Sequence, residues 1–554
     1  MSEPATRATA ECQNVSKSTC RSRMSVPGSS VTNASGCRTC STAVARSDAS
    51  TSTPDTARRG VTTLRCGAGG AWRGPRFCRD TVPDAIPPVR IRPNRSPAAP
   101  RHAMMSRVRA PIGRGALALV VLLVTCACGQ LVPGNARAVP ERLPATAAIA
   151  TQPGPAARVA DTTATALQEF WRAEFPAAFG REWRDISTFV PVATQDPGAP
   201  APPCVNRASD LADQAFYCPG ADVVAWDADG LIPALHERFG PVGVAVVLAH
   251  EVGHAVQSRL GVDAEQQSDP QRFPTILLES MSDCYAGAAL ARFADEPVAG
   301  LPLGPEERDR AMQALVGFRD PLGVAAGDES AHGNAFDRVS AFQDGWLEGA
   351  ALCAGMTVDN RAFTQRRFDS EADLARGGNL PLRELLAFVE RDAAEFFGGL
   401  APGWAPPELT SGSACPDADL VAQGPAAFCP DDGGVAVDVA ALQRIHDEVG
   451  DFAGATVVAG RYGLAMLDAA GRPAVGTPAG AATTCLTGAY TGRLFDAADG
   501  FQLSPGDLDE AVQVLLAADW VARDATGASD PADHGFERIG RFRTGVLDGP
   551  DACR

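Results

Sequence analysis

The sequence predicts a mainly α or α+β fold in which one domain is duplicated in tandem and the second copy is degenerate. Three observations predict it: apolar residues recur at helical spacing over long stretches, extended runs are few and short, and blocks of residues recur in the same order in both halves of the chain. At 554 residues the chain is too long for one compact core. Its hydrophobic content of 45% is ordinary for a globular protein, and its net charge is −17. That acidity argues against nucleic acid as a partner, because phosphate binding needs a basic surface to release counterions. Lys17 is the one lysine in the chain, so nearly all positive charge is arginine.

Residues 1–103 are rich in Ser, Thr, Arg, Pro and Cys, and show no sustained periodicity. They read either as a disordered basic extension or as an over-extended reading frame with the true start at Met104 or Met105. Their Cys37 and Cys40 have metal-ligand spacing, but no second pair matches them. Residues 104–128 have the layout of a secretory signal. Arg107, Arg109 and Arg114 precede an apolar run, 116–124, that is too short to span a bilayer, and Cys126 and Cys128 follow at once. This resembles a bacterial lipoprotein signal with Cys128 lipidated; an ordinary cleaved signal, an uncleaved anchor and lipidation at Cys126 stay open. The expected location is extracytoplasmic, either anchored to the outer face of the bacterial cytoplasmic membrane or secreted. Residues 129–161, rich in Ala, Pro and Thr, read as a linker.

Two domains are expected after it, at 162–378 and 379–554. Cys204 and the segment ending Cys218-Pro219 recur as Cys415 and Cys429-Pro430. LHERFG at 235–240 recurs as IHDEVG at 445–450, and Asp283-Cys284 recurs as Thr484-Cys485. Leu303, Pro305, Ala311, Gln313 and Leu315 recur at a constant offset, from Leu503 to Leu515. His332-Gly333, Arg338, Gly345 and Cys353 pair with His534-Gly535, Arg538, Gly545 and Cys553. Four cysteines per copy in an exported chain predict disulfides. The expected pairs are Cys204–Cys218, Cys284–Cys353, Cys415–Cys429 and Cys485–Cys553, against a reading as free buried thiols. Helices are expected at 164–175 (stopped by Pro176), 241–260, 277–292, 306–318 and 335–352, with small strands at 223–226 and 435–437.

The chemistry lies in the first copy. His250-Glu251-Val252-Gly253-His254 sits within the expected helix 241–260, so the two histidines lie on one face and can share one metal. Glu251 is placed beside them to deprotonate a water. A catalytic zinc needs a third protein ligand and an open position. Glu279 and Asp283 are again four residues apart on the next expected helix. This arrangement resembles the gluzincin peptidases, in which the Glu completes the zinc site and the Asp hydrogen-bonds a ligand histidine.

Together AFYCP, LAHEVGHAVQ, ESMSDCYAG and GDESAHGNAFDR resemble the putative neutral zinc metallopeptidase family over roughly residues 165–355. The resemblance implies a zincin-like metallopeptidase domain acting on a peptide or protein substrate. His250, His254 and Glu279 would be its zinc ligands, Glu251 its general base and Asp283 the support for His250. In related gluzincins a His–Arg block like His332 and Arg338 lies by the cleft, which makes His332 a candidate for oxyanion stabilisation. Its apparent survival as His534 and Arg538 points partly to a structural role. The second copy has Gly460-Arg461-Tyr462-Gly463-Leu464 where the zinc motif should be and Gly480 in place of Glu279. That copy is expected to lack zinc and to pair with the first, cover its cleft or bind a partner. The rival readings are a non-catalytic binding lipoprotein with a structural or vestigial zinc site, and a metal-dependent hydrolase of non-peptide amides.

Overall fold

Long helices carry the fold, as the apolar spacing requires, and two small sheets flank them. A computed structural model describes residues 154–412, 420–431, 433–497 and 500–553, and the backbone of Ala136–Arg137. Residues 1–135, with Cys37, Cys40, Cys126 and Cys128, most of the expected linker, and Cys415 lie outside the described residues.

The first half runs β1 (Ala136–Arg137), α1 (Pro155–Phe179), β2 (Thr188–Val192), β3 (Gln214–Cys218), β4 (Val223–Asp227), α2 (Leu231–Phe239), α3 (Pro241–Leu260) and α4 (Val262–Ser268). It continues through α5 (Thr275–Asp295), α6 (Pro305–Gly317), α7 (Ala335–Glu348), α8 (Ala350–Ala354) and α9 (Glu371–Arg376). The second half runs α10 (Leu382–Leu400), β5 (Leu409–Ser411), α11 (Leu420–Gln423), β6 (Ala426–Cys429), β7 (Gly434–Val437) and α12 (Val439–Glu448). Then come α13 (Asp451–Ala469), α14 (Thr477–Phe495), α15 (Asp507–Ala517), the 3-10 turn Trp520–Ala522 and α16 (Gly535–Asp548).

Helix α1 departs from expectation at both ends. It starts inside the stretch read as linker, where Pro155 at the first turn has no N–H to waste. It also passes through Pro176. That proline sits in the last turn, so little of the ladder is lost, and Ala160, Ala164, Leu167, Trp171 and Phe175 form one buried stripe. Burying Trp171 and Phe175 contributes about 1.5–3 kcal/mol each, enough to offset one missing bond. The expected helix 335–352 instead breaks at Gly349 (φ 79°), which starts α8 in a new direction.

In each half a two-stranded antiparallel ribbon carries a third strand in parallel. Cys218 faces Val223 across β3 and β4, and β2 runs parallel to β4 from Thr188↔Val223. Cys429 faces Gly434 across β6 and β7, and β5 runs parallel to β7 from Leu409↔Val435. Helix α3 packs on α1, α2, α5, α6 and β3; α13 packs on α10, α12, α14, α15 and β6. All the described residues belong to one unit, Ile112–Arg554; the main hydrophobic core runs through both halves, and a smaller one gathers around Val192, Leu211, Phe216 and Val223.

Glycine sets the closest approach. A β-carbon on Gly345 of α7 would collide with the Cys284 carbonyl of α5, and one on Gly287 with the Phe342 carbonyl. Gly545 against Cys485 and Gly488 against Phe542 repeat this contact between α16 and α14. The Cys204–Cys218, Cys284–Cys353 and Cys485–Cys553 bonds all form.

Candidate metal centre

Helix α3 is buried along nearly its whole length, and its His250 and His254 meet Glu279 of α5. Two small-residue contacts let the helices meet there. A β-carbon on Gly253 would collide with Ser282, and the Ser282 hydroxyl donates to the His250 carbonyl. The meeting brings His250, His254 and Glu279 together, with one donor atom from each within 4.8 Å of the others.

The edges of that triangle test whether a metal fits. Nε2 of His250 and Nε2 of His254 are 3.2 Å apart. Glu279 reaches His250 Nε2 at 3.2 Å and His254 Nε2 at 3.5 Å. Donors about 2.0–2.1 Å from a tetrahedral zinc stand about 3.3 Å from one another. These residues can therefore hold a metal ion. Among the described residues the metal-sized group contains no fourth member in the first half, and His332 stands outside it.

Asp283 accepts from His250 Nδ1 at 2.7 Å, which turns Nε2 towards His254 and Glu279. Gln257 plays the same part for His254, with its Oε1 3.1 Å from Nδ1, while its amide donates to the Leu278 carbonyl. Asp283 is wholly buried and is balanced by Arg338, whose Nη2 donates to it at 2.8 Å and whose Nη1 donates to the Phe318 carbonyl at 2.8 Å. Asp320 holds His332, accepting from its backbone N–H at 2.6 Å and lying 3.2 Å from Nδ1. His332 Nε2 is left buried without a partner.

The charges follow from this packing. Burial opposes protonation of His250, but Asp283 and Glu279 raise its pKa to about 10. Burial pushes Glu251 up to about 8, against the charge of His250. Both Glu251 oxygens are buried without a hydrogen-bond partner. Burial works against ionising Glu279, yet His254, His332 and His250 hold it well below the usual carboxylate range. Burial lowers His254, whereas Glu279 and Asp320 raise His332 despite its burial.

All five residues singled out around the motif thus meet in one place, and His332 lies at its edge. One sequence pairing is corrected. His534 is the N-cap of α16, the place that Asn334 holds on α7, so it is not the counterpart of His332. The helix ends on either side, Gly317 with Ala517 and Ala335 with Gly535, keep one offset, and the His-Gly match lies out of register with it. The argument that His332 is structural because it recurs therefore falls. Asp320 escaped notice because it lies in a loop without periodicity, and Phe318 because its part is played by a backbone carbonyl at the end of α6. Gln257 was visible, one turn beyond His254.

The corresponding place in the second half is filled. Thr483 donates to the Gly460 carbonyl at 2.6 Å, as Ser282 does to His250. Arg461 stands where Glu251 would be, buried and lowered to about 10 by that burial, and it donates to the Trp520 carbonyl at 2.5 Å. A β-carbon on Gly480 would strike the Ala522 carbonyl, so the Trp520–Ala522 turn occupies the space of a Glu279 side chain. Elsewhere in this half the buried acids Asp451, Asp507 and Glu510 converge, with no histidine among them.

Comparison with known proteins agrees with this geometry. Residues 114–354 match the family described as "Putative neutral zinc metallopeptidase". Uncharacterized protein Mb2605 of Mycobacterium bovis and uncharacterized protein Rv2575 of Mycobacterium tuberculosis are each 30% identical over 145 residues, 24% of this chain. The chain spans about half of their length, 47%. No solved structure matches the chain. Through residues 114–354, somewhat under half of its length, the chain is similar to the putative neutral zinc metallopeptidase family.

Proposed function

We propose that the chain is a zinc-dependent peptidase with one working centre, formed by His250, His254 and Glu279, with Glu251 as general base. The observation that carries this reading is a three-donor set of tetrahedral dimensions with Glu251 buried beside it. Three protein ligands and an open position are the pattern of catalytic rather than structural zinc. Zinc held there supplies a Lewis acid that polarises a carbonyl and acidifies a water. Glu251, buried beside the donor set, is placed to take a water proton and return it to the departing amine. Asp283 keeps His250 in the tautomer that presents Nε2, and Arg338 keeps Asp283 ionised. His332, oriented by Asp320, has its Nε2 free to donate to a developing oxyanion.

Residues 379–554 are read as a degenerate copy of the same domain; the matching strand order, glycine contacts and hydroxyl-to-carbonyl bonds support this. The Cys204–Cys218, Cys284–Cys353 and Cys485–Cys553 disulfides support export to an oxidising compartment. Tethering at Cys128 to the outer face of the membrane completes the proposal. No helix among the described residues is long and apolar enough to cross a membrane. The test is chelation. Full-length protein freed of metal should lose cleavage of a mixed peptide library and regain it with about one equivalent of zinc. Restoration with no zinc bound would contradict the reading.

A further inference from the structure

Four hydrogen-bond donors at the start of an α-helix lack intrahelical partners, and side chains usually satisfy them from nearby. In α7 and α16 part of this task falls to the opposite half of the molecule. Asp309, on α6 of the first half, accepts from the backbone N–H of Gly535 at 2.6 Å and of Phe536 at 2.9 Å, at the start of α16. Asp509, on α15 of the second half, accepts from the backbone N–H of Ala335 at 2.7 Å, at the start of α7. Asp309 and Asp509 are separated by the same 200 positions as Ala335 and Gly535. The two halves thus exchange equivalent caps, as the subunits of a two-fold dimer would. Around them Arg308 pairs with Glu537 at 2.5 Å, Gln343 donates to the Phe536 carbonyl at 2.8 Å, and Arg543 pairs with Asp344 at 2.5 Å.

The exchange is symmetric in form but not in consequence. Among the described residues Asp309 leads to no histidine-bearing metal-sized group: Arg538 on α16 donates to the Leu515 and Asp533 carbonyls, and Thr484 to the Gly480 carbonyl. Asp509, by contrast, grips both segments that support the centre of the first half. Its Oδ1 holds the start of α7, and Arg338 lies one turn further on. Its Oδ2 lies 3.3 Å from Arg319 Nε. Arg319 stands between Phe318, whose carbonyl accepts from Arg338, and Asp320, which holds His332. Arg338 in turn holds Asp283, and Asp283 holds His250.

We propose that Asp509, contributed by the half without a metal centre, is a positioning residue for the centre in the other half. The second half then serves as a built-in partner subunit that clamps the Phe318–Asp320 segment and the start of α7 against α5. This rests on the reading of His250, His254 and Glu279 as metal ligands.

The symmetry supplies the control. In full-length protein, Asp509→Ala and Asp309→Ala each remove one cap between the halves, so both should lower the melting temperature of the metal-free form. Zinc affinity, measured by competition with a chelating indicator, should separate them. Asp509→Ala is expected to bind zinc about 10-fold more weakly, at the lower end for a residue that supports a ligand indirectly. Asp309→Ala should stay within about twofold of wild type on the same reasoning. Asp509→Asn, which keeps an acceptor for Ala335 but loses the charge facing Arg319, should fall between wild type and the alanine variant. If Asp509→Ala fails to fold, the pair Asp509→Asn and Asp309→Asn carries the comparison, with only the former weakened. Equal zinc affinity in the 309 and 509 variants overturns the proposal. A wild-type protein that binds no zinc overturns the metal reading instead.

Discussion

Replacing Asp283 by asparagine removes one negative charge from the point where α3, α5 and α7 meet. In the native protein Asp283 is wholly buried, 2.7 Å from His250 Nδ1 and 2.8 Å from Arg338 Nη2. Arg338 is itself 1% exposed, so the variant leaves a buried guanidinium without its nearest counter-charge. Breaking a buried pair on one side costs about 3–5 kcal/mol. The negative charges of Glu279 and Asp320 also act on Arg338, which places the expected loss near about 3 kcal/mol. Zinc affinity should fall about 10–100-fold, because a neutral amide no longer fixes the tautomer or raises the basicity of His250. Denaturant unfolding of the metal-free protein reads the first quantity, and chelator competition reads the second. An Asp283→Asn protein with wild-type zinc affinity would refute the argument that Asp283 prepares His250 for a metal.

Other expectations follow from the same packing. Asp507 is buried beside Asp451 and Glu510, and burial together with those charges raises its pKa well above the usual value. A carboxyl raised in the folded state binds its proton more tightly there, so its ionisation costs stability as pH climbs above the unfolded value of about 3.9. Asp507→Asn, which keeps an acceptor for the Ser504 N–H, should therefore melt higher than wild type at pH 7.5, with the gain shrinking towards pH 4; a lower melting temperature at pH 7.5 would contradict this. Gly345→Ala should destabilise by about 3 kcal/mol in denaturant unfolding, because the Cys284 carbonyl occupies the place of the new methyl. An unchanged midpoint would contradict that contact. Removing the Cys284–Cys353 bond, which spans 69 residues, should cost about 2–4 kcal/mol, read as a loss of melting temperature under non-reducing conditions.

The local patterns were legible where one element carries the whole message. The spacing of His250 and His254 on one helix, and of Glu279 and Asp283 on the next, put four side chains on two faces before any tertiary contact was known. The cysteine pairs of the first half were readable because the same cysteine spacings recur later in the sequence. What could not be read was held by loops and by distance in sequence. Asp320 acts from a segment without period, Phe318 through its backbone carbonyl, and Asp509 reaches Ala335 across 174 positions. Pro176 misled for a different reason: its local cost is real, but tertiary burial of Trp171 and Phe175 outweighs it. The pairing of His332 with His534 failed because a short His-Gly match was taken out of register, while the helices on either side keep one offset.

The central claim is that Glu251 does chemistry at a zinc held by its neighbours. Its direct test is to compare wild-type and Glu251→Gln full-length protein for zinc content and for cleavage of a peptide library. Both should carry about one zinc, while the variant loses about 100-fold or more in kcat/KM, the share expected of a positioned general base. Stoichiometric zinc with equal cleavage by the two proteins would contradict the account.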